Sequence, residues 1–268
     1  MKTDNKHGSV DEPAQRGRLS SSTIYEIISH EGREELNRPP QSLAWSGLAA
    51  GICISFSLFG EGFLKLHLSD NNFLIEKLGY TVGFLIVILG RFQLFTENTI
   101  TVILPLLEKW SNFKFQRTMK LWAVVLFFNL VGTFVVALFC ISLPFFNIEQ
   151  MNIFIEISLH AVDRNLWHVF IQAIPAGFLM AALVWMLPSA REESQFLVIL
   201  LITYLIAIGD FAHVIAGSME AFLLMLGQQV SLWQGAGFLA AACAGNIIGG
   251  SGLFALMAYA QVQKEVHT

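Results

Sequence analysis

The chain has 268 residues, of which 54% are hydrophobic and only 13% charged, and its formal net charge is −4. Soluble domains average roughly 25% charged residues. The composition therefore excludes an ordinary soluble domain and indicates a protein embedded in a lipid bilayer, and the slightly acidic charge gives no indication of nucleic-acid binding.

The first 43 residues are polar and contain no short apolar core, so we predict a tail without a cleavable signal peptide. A Ser/Thr cluster at 20–23 precedes an apolar stripe that includes Ile24 and Ile28. This pattern is typical of a capped amphipathic helix. The Pro-Pro pair at 39–40 is expected to end that helix.

Six apolar stretches follow, each long enough for the roughly 20 residues that cross a bilayer. They lie at 44–66, 79–108, 118–146, 167–188, 196–226 and 232–262. We therefore predict an all-α integral membrane protein with three parts: an N-terminal tail at 1–43, a six-helix membrane domain at 44–262 and a C-terminal tail at 263–268.

Lys and Arg residues are distributed unevenly among the tails and loops. Twelve fall on the side of the two termini, whereas the opposite side has only Lys65, Lys77 and Arg164. Cytoplasmic loops are enriched in Lys and Arg. Both termini are therefore predicted to be cytoplasmic, which agrees with an even number of spans.

The second and fifth stretches are about thirty residues long, and polar residues interrupt each of them. The interruptions read G-R-F-Q-L-F-T-E-N-T-I-T at 90–101 and G-D-F-A-H-V-I-A-G-S at 209–218. A helix broken in hydrocarbon leaves unpaired backbone groups unless the break is buried in protein or lines a cavity. We therefore predict non-helical breaks at 94–99 and 209–217 that face each other near the middle of the membrane.

The two halves of the chain share a plan. Phe95 is followed 34 residues later by Asn129-Leu-Val-Gly, and Phe211 is followed 35 residues later by Asn246-Ile-Ile-Gly. Because each half has three spans, the second half enters the membrane in the opposite orientation. The sequence therefore predicts a 3+3 inverted repeat in which two broken helices build the site.

His213 is the leading candidate for a functional side chain. Imidazole titrates close to neutral pH, and ionisable residues inside spans are usually functional. The repeat alignment places Thr96 and Glu97 opposite Ala212 and His213, so a hydroxyl and free N–H groups could bind an oxyanion. Two structural alternatives stay open: His213 could merely satisfy carbonyls at the break, and Thr96 could merely cap a helix.

Other polar residues lie in or near the bilayer. The charged ones are Glu61, Arg91, Glu97 and Asp210. A lone Arg91 would be costly there, so we expect it to form a salt bridge with one of the three carboxylates. The amides of Asn98, Asn129 and Asn246 are expected to hold the loops of the breaks.

The sequence contains no nucleophile elbow, catalytic dyad or phosphate-binding loop, so an enzyme is not predicted. The three cysteines, Cys53, Cys140 and Cys243, lie in apolar segments without metal-ligand spacing. Buried thiols of this kind are usually structural, and we predict neither a metal nor a cofactor.

Taken together, the motifs resemble those of the formate/nitrite transporter family. L-F-T at 94–96 resembles that family's broken second helix, F-x-H-x-I-A at 211–216 its broken fifth helix, and G-N-I-I-G-G at 245–250 its sixth. The resemblance covers 44–262. It implies a homopentamer in the bacterial inner membrane whose aquaporin-like protomers each have a pore for small monovalent anions such as formate or nitrite, with His213 as the central histidine and Thr96 as its partner.

The sequence departs from the family pattern at four positions. The usual Glu before the histidine is Ala212, Gly177 and Gly217 stand where Asn is frequent, and the residue after the pore threonine is Glu97. A carboxylate beside the pore would repel anions unless a nearby cation neutralises it. Two alternatives are therefore retained: a pore for a small neutral or cationic solute, and a membrane scaffold without transport.

Overall fold

The computed structural model describes residues 19–68 and 72–266, and every regular element in these ranges is helical. Parts of the predicted tails, at 1–18 and 267–268, lie outside the described residues. In chain order the elements are α1 (Ser21–Asn37), α2 (Pro40–Ile54), α3 (Phe56–His67), α4 (Phe73–Glu76), a 3₁₀ turn (Lys77–Tyr80), α5 (Thr81–Leu89), α6 (Asn98–Thr101), α7 (Leu104–Glu108), α8 (Asn112–Ser142), α9 (Ile148–Val162), α10 (Leu166–Met186), a second 3₁₀ turn (Leu187–Ser189), α11 (Glu192–Ile208), α12 (Val214–Leu226), α13 (Leu232–Ile247), a π-helical segment (Ile248–Ala255) and α14 (Leu256–Val266).

Four stretches within the described ranges are helical, long and apolar enough to cross a membrane. They are Pro40–His67, Asn112–Ser142, Leu166–Ser189 and Leu232–Glu265. They correspond to the first, third, fourth and sixth stretches predicted from hydropathy. The second and fifth predicted stretches are divided, since α5 is separated from α6 by residues 90–97 and α11 is separated from α12 by residues 209–213.

The limits of both breaks differ from the predicted ones. The first spans 90–97 rather than 94–99, and the second spans 209–213 rather than 209–217. In each case the preceding helix stops at a residue with positive φ, Arg91 at 53° and Asp210 at 50°. The N–H of the following residue donates to the carbonyl five residues earlier, at 3.0 and 3.1 Å. This left-handed helix termination is usually made by glycine. Because Arg91 and Asp210 take that place here, the positions of the polar residues did not reveal where the helices end.

The amphipathic helix predicted in the tail is α1. Its first turn is capped by Ser20, whose hydroxyl accepts from the Thr23 N–H. The Tyr25 hydroxyl donates to the Leu104 carbonyl at 3.1 Å, and burial raises the pKa of this phenol to about 12. Since α1 packs against α7 and α14, it covers one end of the helix bundle.

The long helices pack in two corresponding pairs, α2 with α8 and α10 with α13. The second half of each broken helix then packs across the molecule: α12 lies against α8, and α6 lies against the π-helical segment. Thr133 and Ser218 join α8 to α12 through their hydroxyls at 2.7 Å, and the Ser251 hydroxyl donates to the Thr99 carbonyl. These contacts bring the two breaks together in the centre of the bundle.

Candidate functional site

The two breaks meet at Thr96 and His213. The Thr96 Oγ1 and His213 Nε2 atoms are 2.8 Å apart, and the residues are 0% and 2% exposed. The ring of Phe84 packs edge-on against the imidazole with centroids 4.9 Å apart. The structure therefore places the predicted pore residues Thr96 and His213 in one buried hydrogen-bonded pair.

The hydrogen bonds of His213 define its tautomer. Its Nδ1 accepts from the Ala216 N–H at 3.2 Å and so caps the start of α12. A ring nitrogen that accepts carries no proton, so a neutral imidazole has its proton on Nε2. Nε2–H then donates to the Thr96 hydroxyl, which keeps its own hydrogen available for another acceptor.

Asn129 of α8 bonds to the first break. Its Oδ1 accepts from the Phe95 N–H at 2.9 Å, and its Nδ2 donates to the Gly47 and Gln93 carbonyls at 2.8 and 2.9 Å. These bonds satisfy backbone groups that the interruption leaves without helical partners.

Asn246 of α13 makes the three corresponding bonds at the second break, two of them to the break and one to α10. Its Oδ1 accepts from the Val214 N–H at 2.9 Å, and its Nδ2 donates to the Ala173 and Ala212 carbonyls at 2.8 and 2.9 Å. The third predicted amide, Asn98, acts locally by donating to Gln93 Oε1 at 3.0 Å.

The two asparagine clamps correct the alignment of the halves made from the sequence. They place Phe95 in correspondence with Val214, so Leu94 corresponds to His213 and Phe92 to Phe211. The sequence alignment of Phe95 with Phe211 was therefore wrong by three residues. The sequence alignment paired two phenylalanines because they are identical residues. The structural equivalence of the two breaks is instead defined by the backbone N–H that each asparagine binds.

The corrected alignment no longer places Phe95 opposite Phe211. Its side chain is 1% exposed and packs edge-on against Trp122 with centroids 5.6 Å apart. It contributes to the core, whereas Phe92 and Phe211 each line one of the two cavities that approach the central pair.

The larger cavity, the tail-side vestibule, opens beneath α1 and has a volume of about 440 Å³. Its polar lining includes Glu31, Glu34, Glu35, Arg38, Arg91, Gln93, Glu97 and Asn98. The Oε1 atom of Glu97 is buried and has no hydrogen-bond partner among the described residues. This vestibule is thus rich in carboxylates and leads to the first break.

Arg91 does not form the predicted salt bridge. Within the described part of the chain no ion pair joins it to Glu61, Glu97 or Asp210, because its position at the end of α5 turns it into the tail-side vestibule, away from Glu61 and Asp210. Its electrostatic partner is Glu31 of α1. Partial loss of hydration raises the pKa of the Glu31 carboxyl, and Arg91 opposes that shift.

The smaller cavity, the far-side vestibule, lies on the other side of the central pair and has a volume of about 50 Å³. Lys77 Nζ lies 2.7 Å from Glu61 Oε1 and 3.8 Å from Asp210 Oδ1. Asp210 also contacts Arg164 at 3.8 Å and His160 at 3.2 Å. Glu61 and Asp210 therefore do form a charge network, but with Lys77 and Arg164 as its cations.

Sequence analysis missed Glu220, which lines the far-side vestibule and is 7% exposed. The signal was available, because Glu220 follows His213 by seven residues and so lies on the same face of α12. The ring of Phe238 was also missed. A Cβ added to Gly217 would lie 2.7 Å from it, so Phe238 fills the space where an asparagine side chain would otherwise project.

Comparisons with known proteins agree with this geometry. A family model described as Formate/nitrite transporter matches residues 22–260. The inner membrane protein YfdC of Escherichia coli K12 is 38% identical over 249 residues, covering 91% of this chain and 79% of that protein. The uncharacterized transporter YrhG of Bacillus subtilis 168 is 25% identical over 249 residues, covering 88% and 92%.

Two solved structures share the fold. An FNT family ion channel superposes with a TM-score of 0.75 at 17% identity, covering 90% of this chain and 98% of the other. A pentameric formate channel with formate bound gives a TM-score of 0.68 at 19% identity, covering 88% and 99%. The expectation of a transporter rather than an enzyme is confirmed by the matched family, and the chain belongs to the formate/nitrite transporter family.

Proposed function

We propose that the chain forms a homopentameric channel or transporter for small monovalent anions such as formate or nitrite in the bacterial inner membrane. The observation that carries this proposal is the buried Thr96–His213 pair between two vestibules. Each protomer has its own pair, so each has its own pore.

The direction of the hydrogen bonds at the pair suits an anion. The Ala216 N–H occupies Nδ1 of His213, and Nε2–H donates to the Thr96 hydroxyl. No other bond of that hydroxyl is formed within the described residues, so its hydrogen can be donated to an oxygen of the substrate. A buried donor in a site of low dielectric stabilises an anion more strongly than it would in water.

Apolar surroundings disfavour a free charge at the pair. Phe84 is fully buried and packs against the imidazole, and moving an unpaired carboxylate into such surroundings costs far more than moving the neutral acid. We therefore propose that the anion passes the pair together with a proton. His213 acts in this step as a hydrogen-bond donor, because a second ring proton would displace the Ala216 N–H.

The membrane arrangement belongs to the same proposal. The four continuous helices and the two broken ones make six spans, and the matching clamps of Asn129 and Asn246 support a 3+3 inverted repeat. The excess of Lys and Arg near the termini supports a cytoplasmic location for both. The tail-side vestibule then faces the cytoplasm.

A second candidate, a pore for a small cation, is favoured by one observation. The vestibules place Glu97 and Glu220 on opposite sides of the central pair, and unpaired carboxylates attract cations. Uptake of methylammonium in place of formate or nitrite would identify this alternative.

The test uses the purified full chain in liposomes, with empty liposomes as the control for passive leak. His213→Asn keeps a good helix-capping side chain but is too short to contact Thr96. We expect a normally assembled oligomer whose formate and nitrite uptake falls at least about tenfold, which corresponds to roughly 1.4 kcal/mol at the barrier. His168→Asn, at an exposed position of α10, is the matched control and keeps full uptake.

His213→Phe separates the functional from the structural part of the histidine. It loses the cap as well, at a cost of about 1 kcal/mol, so its thermal midpoint should fall whereas that of His213→Asn should not. Full anion uptake by a well-assembled His213→Asn oligomer would remove the pair from the mechanism.

A further inference from the structure

Glu220 is a buried acid that forms no direct ion pair within the described residues. It is 7% exposed and lines the far-side vestibule, yet it forms no hydrogen bond or ion pair with any described residue. Its neighbours on the same face of α12 are Gly217 and His213, one and two turns earlier, and both line the same cavity. The carboxyl group therefore faces the approach to the central pair.

The cations of this vestibule are already engaged. Lys77 contacts Glu61 at 2.7 Å, and Arg164 donates to the His160 carbonyl at 2.6 Å and to the Asp210 carbonyl at 3.3 Å. The charged and titratable groups that line the cavity with Glu220 are Glu61 of α3, Lys77 and Tyr80 of the 3₁₀ turn, His160 of α9, Arg164, Asp210 and His213. In the described part of the chain, three carboxylates thus line this cavity with two permanent cations, and Glu220 is the carboxylate that neither cation contacts directly.

We propose that Glu220 is a proton-binding site that takes up a proton together with each anion entering the far-side vestibule. The inference rests on the proposed anion transport and specifies where the accompanying proton is held. His213 cannot hold it, because its Nδ1 accepts from the Ala216 N–H and its Nε2 already carries a proton.

Electrostatics couples the two ligands. An anion and an ionised Glu220 would share a cavity of about 50 Å³, where like charges are weakly screened and repel strongly. Binding of the anion therefore favours protonation of Glu220, and by linkage protonation favours binding of the anion to the same extent.

The proton balance is simple. A proton from far-side water forms the O–H bond of Glu220, and its transfer to an oxygen of the anion breaks that bond and regenerates the carboxylate. The neutral acid then passes Thr96 and His213. No oxidant, reductant or further co-reactant takes part.

Formate uptake by liposomes that contain the full chain and the pH dye pyranine tests this role. In the wild type the apparent KM for formate should rise with pH, by up to about tenfold per pH unit, with about one proton entering per formate. In Glu220→Gln, which mimics the protonated acid in shape, the KM should be the same at pH 5 and pH 7.5 and the number of protons per formate should fall. Glu156→Gln, an exposed far-side acid, is the control and should behave as the wild type.

A second measurement does not depend on transport. Infrared difference spectra between pH 7.5 and pH 5 should show carboxylic-acid C=O bands, one of which is lost in Glu220→Gln. If the wild type takes up no formate or nitrite, the proposed function fails and the loss of this band alone decides the proton site. Identical bands in the wild type and Glu220→Gln, a wild-type pH dependence of KM in that variant, or uptake that follows Na⁺ rather than pH would each overturn the assignment.

Discussion

The two vestibules are built around corresponding residues of opposite charge. Arg91 and Asp210 both end the first half of a broken helix, with φ values of 53° and 50°. Arg91 faces a wide, acid-rich cavity, whereas Asp210 faces a narrow one and is held by Lys77, Arg164 and His160. The backbone is therefore repeated between the halves, while the charge of the residue that ends the helix is reversed.

This comparison separates the features that both halves need in order to fold from those that differ between the two vestibules. The asparagine clamps are the same on both sides because every break must satisfy the same backbone groups. The charged side chains differ because those that line one vestibule need to be balanced only by other charges in the same vestibule. The tail-side vestibule also receives acids from α1, an element that has no counterpart in the second half of the described chain.

The largest expected effect concerns the clamps. Asn129→Leu and Asn246→Leu each remove three buried hydrogen bonds and leave their partners unsatisfied, at about 1–3 kcal/mol per group. Both variants should fail to assemble or lose most of their thermal stability, and to a similar extent. Size-exclusion chromatography and thermal unfolding in detergent measure this.

Asn165→Leu is the control for the clamps. This exposed asparagine makes one bond, from the Trp167 N–H to its Oδ1 at 2.9 Å, and its loss costs about 1 kcal/mol. A stable Asn246→Leu oligomer beside an unstable Asn129→Leu would contradict the equivalence of the two breaks.

The next effect distinguishes a buried from an exposed ion pair on the far side. The side chains of Lys77 and Glu61 are 12% and 6% exposed, so Lys77→Met leaves a buried carboxylate unpaired, at about 3–5 kcal/mol. Lys65 and Glu156 are 25% and 66% exposed, so Lys65→Met should cost at most about 1 kcal/mol. Thermal midpoints measured side by side test the difference, and equal values would mean that the network does not stabilise the vestibule.

Much of the fold and part of the site could be predicted from sequence. Hydropathy located the four continuous helices, and polar letters in long apolar stretches located both breaks. The limits of the breaks were hidden because Arg91 and Asp210 adopt a backbone conformation usually made by glycine. The electrostatic effect of Arg91 on Glu31 was missed because Glu31 belongs to α1, and residue spacing within the spans carries no information about how α1 is placed.

Arg91 gives the smallest expected effect on stability and the sharpest test of the tail-side vestibule. The salt bridge predicted from the sequence would make Arg91→Leu destabilising, because it would leave a buried acid unpaired, but Arg91 is exposed and pairs with none of the three expected carboxylates in the described residues. We now expect an unchanged thermal midpoint. The change should instead appear at Glu31, whose pKa is raised by partial desolvation, then lowered by Arg91 and raised by Glu35 and Glu34.

The sign of the Glu31 effect follows from linkage. Because the pKa of Glu31 is higher when α1 covers the vestibule, docking of α1 is strongest below the ordinary pKa of a glutamate, weakens as pH rises from there through the raised pKa, and changes no further above it. Arg91→Leu removes the opposing cation, so the docking transition should move to higher pH. Methyl NMR of Ile27, which lines the same vestibule, follows the transition, and Glu31→Gln should abolish it. A transition at the wild-type pH in Arg91→Leu would show that Arg91 and Glu31 do not interact, and that Arg91 does not balance the acids that α1 brings to the tail-side vestibule.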